Sequence, residues 1–383
     1  MFQNSQIILS KSALKSNLRF IKKHLNPGVK LCSVVKGNAY GHGLVEYVSL
    51  AMECGVQYFA VHSAEDAYLL HSYLPQIPRI FIMGSIEEHA IEWAVQNGVE
   101  FAVFDFERLH LTILAAQKWE CKAGIHIEVE TGMRRTGFEH TEFPKLCSQL
   151  LEHKSCLRVV GLFTHFAGAE SLANHFRVNN QLKNFQESVS IFKSLGIEPK
   201  LTHAACSAAM LNYPQSQFNM VRVGILQYGF WPNSETFIRF CGDQSTTPDK
   251  LKRVINWQTH VMSLKDVKKG CFVGYGTAYL AHKNMRLAII PVGYSHGYSR
   301  NLSNVGQVLI RGKLCNVVGT VNMNSLSVDV THVPDVQKLD PVILIGKQNG
   351  KAITVSSFSE QSNQLNYELL TRLPYSIPRV AGP

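Results

Sequence analysis

A chain of 383 residues is too long for one compact core, so one large and one smaller domain are expected. With 45% hydrophobic and 17% charged residues it has the composition of a soluble globular protein, and no apolar run nears the roughly 20 residues needed to span a bilayer. The net charge of +10 comes from 38 basic residues with no run of five or more, which reads as a mildly basic surface and not as a nucleic-acid patch.

Residues 1–10 contain only Ile7-Ile8-Leu9 as an apolar stretch, so no secretory leader is expected. The nine cysteines are scattered without a C-x-x-C pair. That pattern predicts free thiols in a reducing cytoplasm, with neither a disulfide framework nor a metal site. From about residue 30 to about 230, apolar β-branched runs alternate with amphipathic stretches. Strands are predicted over 30–35, 57–61, 79–83, 100–104, 124–130, 157–164, 200–203 and 220–228. Stretches such as 86–97 and 174–195 are long enough for crossover helices. Eight such units predict an α/β fold, an N-terminal (β/α)8 TIM barrel over residues 11–240. A doubly wound Rossmann sheet is the alternative, but no G-x-G-x-x-G opens the first helix.

After about residue 240 the texture changes. Segments 254–264, 286–292, 306–311, 314–321, 326–330 and 342–345 are short, strand-like and separated by Gly, Pro, Asn and Asp, and a helical pattern returns only over 356–373. A mainly β C-terminal domain is predicted over 241–383, joined by residues 1–10 as an added strand. The linker is expected within 237–249, near Thr246-Thr247-Pro248-Asp249.

Active groups of a barrel sit just past the C-terminal ends of its strands. Strand one delivers Lys36 and Tyr40, in Val34-Val35-Lys36-Gly37-Asn38-Ala39-Tyr40-Gly41-His42-Gly43. A lysine at the end of a buried strand is costly to keep charged and is suited to Schiff-base chemistry. An ordinary surface lysine at a strand–loop junction is the competing reading. Strand five leads into Glu130-Thr131-Gly132-Met133-Arg134-Arg135-Thr136-Gly137, and strand six ends at Thr164-His165-Phe166. Strand seven runs into His203-Ala204-Ala205-Cys206-Ser207, and strand eight carries Arg222, Gly224 and Ile225. The loops after strands seven and eight are where barrels commonly bind phosphate.

The Lys36 segment closely resembles the pyridoxal-phosphate lysine motif of alanine racemases, and similar matches recur along nearly the whole chain. The resemblance implies a fold-type III enzyme that interconverts L- and D-alanine with pyridoxal 5'-phosphate on Lys36. It implies that Tyr40, Ser207, Gly224, Ile225 and Tyr375 hold the phosphate, that Arg222 faces the pyridine nitrogen, and that His165 links Arg222 to a second base. That base is implied to be Tyr275, in Val273-Gly274-Tyr275-Gly276-Thr277, which reaches the barrel of a partner. A homodimer with shared active sites follows. Read by itself, Gly-Tyr-Gly is a strand-turn aromatic. Racemisation needs proton transfer on both faces of the substrate α-carbon, so one base is insufficient. Arg135 and the loop of Met323 are implied to bind the substrate carboxylate, and Tyr294 and Arg300 to line the access channel. D-alanine supply for peptidoglycan is the implied role.

The chain departs from the family pattern at several places. Glu128 stands where many racemases carry a carbamylated lysine, and it is expected to pair with Arg135 as an unmodified anion. Asn322, Asn324, Arg134 and His296 also differ from the usual residues, which leaves a broad-specificity or serine racemase as the alternative. A cofactor-binding barrel without turnover is a further rival, disfavoured by the roughly 140 residues after the barrel. A decarboxylase or aldolase on the same barrel is another, and neither Cys271 nor Cys315 lies in a motif that would serve it.

Overall fold

The structure is a computed structural model and describes residues 3–242, 249–355 and 366–383. After strand β1 (Ser5–Ser10) come eight parallel strands: β2 (Lys30–Val34), β3 (Tyr58–Ser63), β4 (Arg79–Ser85), β5 (Glu100–Val103), β6 (Ala123–Glu128), β7 (Leu157–Phe163), β8 (Leu201–His203) and β9 (Met220–Val223). They pair in the order β8-β7-β6-β5-β4-β3-β2-β9. Backbone bonds from Arg222 N–H to Ala205 O (2.9 Å) and from Asn219 N–H to Thr202 O (3.4 Å) join the two ends, so the sheet closes as a TIM-like barrel. The strands are rich in Val, Ile and Phe, and β5 and β6 are buried at every position, as befits a sheet covered on both faces.

The barrel unit comprises Ala13–Lys36 and Val48–Lys252. Crossover helices lie at Glu88–Gln96 and His175–Ser194, each within two residues of the predicted stretch. The last strand is shorter than predicted. It stops at Val223 because Gly224 (φ −105°, ψ −97°) leaves the extended region, and a 3-10 turn follows over Ile225–Tyr228. The start of the predicted linker is instead a helix, Ser234–Cys241, capped by Asn233, whose side chain accepts from Thr236 N–H at 2.8 Å. Residues 243–248 lie outside the described residues.

The β unit comprises Met1–Ser12, Gly37–Tyr47 and Arg253–Pro383. Its strands are β1, β10 (Ile255–His260), β11 (Ser263–Val267), β12 (Met285–Ile290), β13 (Gln307–Ile310), β14 (Lys313–Val318), β15 (Leu326–Asp329), β16 (Pro341–Gln348), β17 (Lys351–Ile353) and β18 (Arg379–Gly382). The main path runs β11-β12-β15-β14-β13-β16-β10-β1-β18, with β17 on β16. β1 alternates buried and half-buried residues between antiparallel β10 and parallel β18. The single run predicted over 254–264 is two strands. At Val261 and Met262 the backbone hands its bonds from Asp340 O to Ile289 O, so β10 and β11 pair with different neighbours. Of the helical pattern predicted over 356–373, residues 356–365 lie outside the described residues and Asn366–Thr371 is helical.

Gly37–Tyr47 sits in the β unit for a specific reason. Gly37, Asn38, Ala39 and Tyr40 all have φ near +55°, a left-handed turn costing roughly 1–2 kcal/mol per non-glycine residue. Bonds from beyond the turn itself offset that cost. Asn38 Oδ1 accepts from Leu44 N–H at 2.8 Å, and Arg379 Nη2 donates to Gly41 O at 3.0 Å. A Cβ on Gly41 would lie 1.8 Å from Leu370 O, so only glycine allows this approach.

Candidate active site

In the barrel unit the C-terminal rim gathers Lys36, Glu128, Arg135, His165, Ser207, Arg222, Gly224 and Ile225. Lys36 follows β2 and is open to solvent, yet its ammonium pKa is lowered, first by desolvation against the surrounding protein and then by the positive charges of Arg135 and Arg222. His165, after β7, is pushed down to about 3 by burial and by Arg222, Arg135 and Lys36. It is therefore neutral at neutral pH.

Arg222 on β9 is buried and tightly held. Its Nη1 donates to His203 Nδ1 (2.6 Å) and His203 O (3.0 Å), and its Nη2 donates to Thr164 O (2.7 Å) and His165 Nδ1 (3.3 Å). None of these partners is a carboxylate, and Nε–H meets no acceptor among the described residues. Because its Nδ1 accepts, His165 carries its proton on Nε2. Ser207 opens the helix Ser207–Asn212 and accepts from Gly224 N–H at 3.0 Å, which draws the loops after β8 and β9 together. Ile225 begins a 3-10 turn, whose first N–H groups have no intrahelical acceptor.

The loop after β6 is locked by its own acid. Glu130 accepts from Gly132 N–H and, at 2.7 Å, from Arg134 N–H, and holds Arg134 at φ +60°. From the helix His175–Ser194, Gln181 Nε2 donates to His165 O (2.9 Å) and Asn184 Nδ2 to Thr131 O (3.1 Å). One polar helix face thus positions both rim loops. Glu128 lies 3.9 Å from Arg135 Nη2, a loose ion pair, and accepts from Thr136 Oγ1 at 2.8 Å. Burial raises the Glu128 pKa against the lowering effects of Thr136 and Arg135.

Tyr40, Tyr275, Tyr294, Arg300, Met323 and Tyr375 lie in the β unit. Tyr40 is buried in the left-handed turn, its ring 6.0 Å from Tyr367. Tyr275 is 76% exposed at the tip of a loop closed by Val273 N–H to Tyr279 O (2.9 Å), between Gly274 and Gly276, both at positive φ. The Met323 loop is zipped to the Tyr294 segment by Tyr294 N–H to Asn322 O and Ser295 N–H to Met323 O, both 3.0 Å. Asn304 bridges both neighbours, donating to Ala278 O (3.0 Å) and accepting from Gly319 N–H (2.7 Å). Tyr275, Tyr294, Arg300 and Met323 therefore belong to one set of interlocked loops. Tyr294, Arg300 and Tyr375 are exposed.

Sequence reasoning missed Glu100, His126 and Tyr58, and left His203 without a role. These residues form a buried polar line inside the barrel. A carboxylate at the first position of an otherwise apolar strand, and an imidazole inside the run Ala-Gly-Ile-His-Ile, were the available signals. Burial alone would raise the Glu100 pKa, but bonds from His126, Arg79 and Tyr58 outweigh it and hold the carboxyl at about 2. The folded value lies below the ordinary 4.5, so this stabilisation is complete above about pH 4.5 and disappears as pH falls towards 2. We expect on the order of 3 kcal/mol of unfolding free energy to vanish across that window, and Glu100→Gln to flatten the dependence. Urea midpoints measured over a pH series check this.

Among the described residues no cluster of three or more His, Cys, Asp or Glu could hold a metal ion, and no helix is long and apolar enough to cross a membrane. A closed eight-stranded barrel with a lysine and two arginines gathered at its C-terminal rim, together with a separate β unit, defines the architecture of a TIM-barrel enzyme with a second, β domain. Residues 9–232 match the alanine racemase N-terminal domain and residues 254–381 the alanine racemase C-terminal domain. The chain is 31% identical over 383 residues to the alanine racemase of Leptospira interrogans, covering 98% of this chain and 95% of that one. Its fold is similar to that of Bacillus anthracis alanine racemase with bound L-Ala-P (TM-score 0.88, 30% identity, 100% and 96% coverage). It is also similar to Bartonella henselae alanine racemase with covalently bound pyridoxal phosphate (TM-score 0.81, 26% identity, 100% coverage of both). The chain belongs to the alanine racemase family.

Proposed function

We propose that this protein interconverts L- and D-alanine with pyridoxal 5'-phosphate held on Lys36, as a homodimer in which Tyr275 of each subunit serves the site of the other. The observation that carries the reading is the rim of the barrel: an amine of lowered pKa beside two guanidiniums, with Arg222 facing no carboxylate. The donor set fits the cofactor. Arg135, Arg222 and the Lys36 amine, set against Glu128 and a Glu130 already spent on the backbone N–H groups of Gly132 and Arg134, suit a phosphate and a substrate carboxylate, and Arg222 Nε–H is a donor left over for an acceptor nitrogen.

When bound, the cofactor supplies an electron-withdrawing ring that acidifies the substrate α-carbon. Every other part falls to side chains and backbone of the chain. Ser207, Gly224, Ile225, Tyr40 and Tyr375 hold the phosphate. Arg222 holds the ring nitrogen by donating to it, and a guanidinium cannot accept the proton that a carboxylate there would leave on the ring. Electron withdrawal stays moderate, which suits racemisation and limits side reactions. The free amine of Lys36 takes or returns a proton at Nζ on one face, and the Tyr275 hydroxyl does so on the other. His165, neutral and tethered to Arg222, offers Nε2–H to orient that phenol. Arg135 and the Met323 backbone N–H receive the substrate carboxylate, and Tyr294 and Arg300 line the approach. The proposal places the enzyme in the cytoplasm, with no membrane or nucleic-acid partner, supplying D-alanine for peptidoglycan.

The test is a panel of L-amino acids with chiral product analysis. Alanine is expected to turn over fastest; faster serine or broad turnover would assign the side-chain preference to Arg134, His296, Asn322 and Asn324 instead. Glu128 supports Arg135 only loosely, so Glu128→Gln is expected to lower kcat/KM roughly fivefold, about 1 kcal/mol, without loss of fold. Steady-state racemisation rates check that figure.

A further inference from the structure

Six side chains from six strands form a continuous line through the barrel. Arg222 Nη1 meets His203 Nδ1 at 2.6 Å, and His203 Nε2 meets His126 Nδ1 at 2.9 Å. His126 Nε2 faces Tyr58 Oη at 3.0 Å and Glu100 Oε2 at 3.3 Å. Tyr58 Oη donates to Glu100 Oε2 at 2.5 Å, and Arg79 donates to Glu100 Oε1 from Nη2 at 2.7 Å and from Nε at 3.0 Å. Tyr58, Arg79 and Glu100 each open their strand, so they lie at the N-terminal end of the barrel, opposite the rim.

The two ends fix the direction of every bond between them. An arginine has no lone pair to offer, and an ionised carboxylate has no proton. Since Arg222 donates, His203 Nδ1 accepts and its proton sits on Nε2. That proton is donated to His126 Nδ1, which places the His126 proton on Nε2, facing Tyr58 and Glu100. Burial pushes the pKa of both imidazoles down, so neither carries a second proton at neutral pH. Both are fully buried, and no solvent compensates a reversed bond. Reversal would set an Nδ1–H of His203 against an N–H of Arg222.

We infer that Glu100, acting through His126 and His203, is a remote positioning residue that holds the Nδ1 lone pair of His203 on Arg222 and thereby sets the pose of the guanidinium at the opposite end of the barrel. The catalytic consequence rests on the reading of Arg222 given above; the tautomers do not. In Glu100→Gln Arg79 retains the amide oxygen and the amide N–H groups face Tyr58 and His126, so the Tyr58 hydroxyl loses its carboxylate acceptor and turns its proton to His126 Nε2. His126 Nε2 must then accept, and the preference for Nδ1–H passes along the line to His203 and collides with Arg222.

The experiment is a two-bond 1H–15N correlation spectrum of the intact protein labelled on histidine, recorded with and without added pyridoxal 5'-phosphate. In the native protein His126 and His203 should both appear as Nε2–H tautomers. In Glu100→Gln at least one should convert to Nδ1–H, with kcat of the cofactor-loaded enzyme falling roughly 10–100-fold, as loss of outer partners does elsewhere, and KM changing little. Glu100→Asp keeps an anionic acceptor and should retain both tautomers and recover most of the loss. An Nδ1–H form of either histidine in the native protein overturns the inference even if Glu100→Gln fails to fold, as do unchanged tautomers in a folded Glu100→Gln or altered ones in Glu100→Asp. The spectra need neither substrate nor turnover. Correct tautomers in a protein that does not racemise would sink the functional reading alone.

Discussion

Replacing Lys36 with alanine is expected to lower racemisation by at least about 10⁴-fold in both directions, with the protein still folded. Two losses combine. The variant lacks the amine proposed to anchor the cofactor, which is also the group proposed to move a proton on one face of the α-carbon. Lys36 sits open at the rim after β2, so its side chain contributes little to the core and the fold should survive its removal. The lowered pKa of the ammonium makes arginine a poor substitute, since a guanidinium stays protonated and cannot act as nucleophile or base. Lys36→Arg should therefore be as inactive as Lys36→Ala. Chiral analysis of alanine after long incubation, beside circular dichroism of both variants, checks this; substantial activity in either would remove Lys36 from its role.

Tyr275→Phe is expected to cost roughly 10²–10⁴-fold in kcat, the usual range for one acid–base group, while leaving the cofactor bound. The phenol lies at an exposed loop tip between two glycines of positive φ whose added Cβ atoms would meet nothing, so losing one oxygen leaves the loop's packing unchanged. With Tyr275 gone, Lys36 still serves one face, so in deuterated water one enantiomer of alanine should exchange its α-proton without inversion, and the other should exchange far more slowly. Mass spectrometry of recovered L- and D-alanine measures both rates. Equal exchange of the two enantiomers would contradict the assignment of opposite faces to opposite bases.

Much of this architecture was legible in the amino-acid order. The barrel strands are continuous apolar runs because both faces of a parallel sheet are covered, and seven of the eight end within two residues of the predicted limits. The exception, β9, carries Gly224 and a 3-10 turn inside a run that is apolar throughout, and apolarity alone does not separate a strand from a buried turn. β17 and β18 went unread for related reasons: one has three residues, and the other, following Pro378 and closing on Gly382, looks like a turn. The left-handed course of Asn38, Ala39 and Tyr40 could not be read locally, since alanine favours the right-handed helix and the bonds to Leu44 and Arg379 that sustain the turn come from outside it.

The rim residues were readable because barrel topology states where strand ends lie and because Lys36 stands in a long, specific segment. The line from Arg222 to Glu100 was not readable in that way. His126 lies 77 positions from His203 and 26 from Glu100, and each occupies an inward position of a different strand. Their adjacency is a product of barrel closure, and nothing in the spacing announces it. The same closure makes the arrangement dependable, since the strands of Tyr58, Arg79, Glu100 and His126 are laddered on both sides, and those of His203 and Arg222 on one side with single backbone bonds joining them across the seam.

Covalent attachment of the cofactor at one lysine among the basic residues of the chain underlies every role proposed for the rim. Reduction of the pyridoxal 5'-phosphate-loaded protein with borohydride, followed by digestion and peptide mapping, tests it directly. The account predicts a single modified peptide containing Val34-Val35-Lys36-Gly37, with the label on Lys36. A label on another lysine, or none, would contradict it.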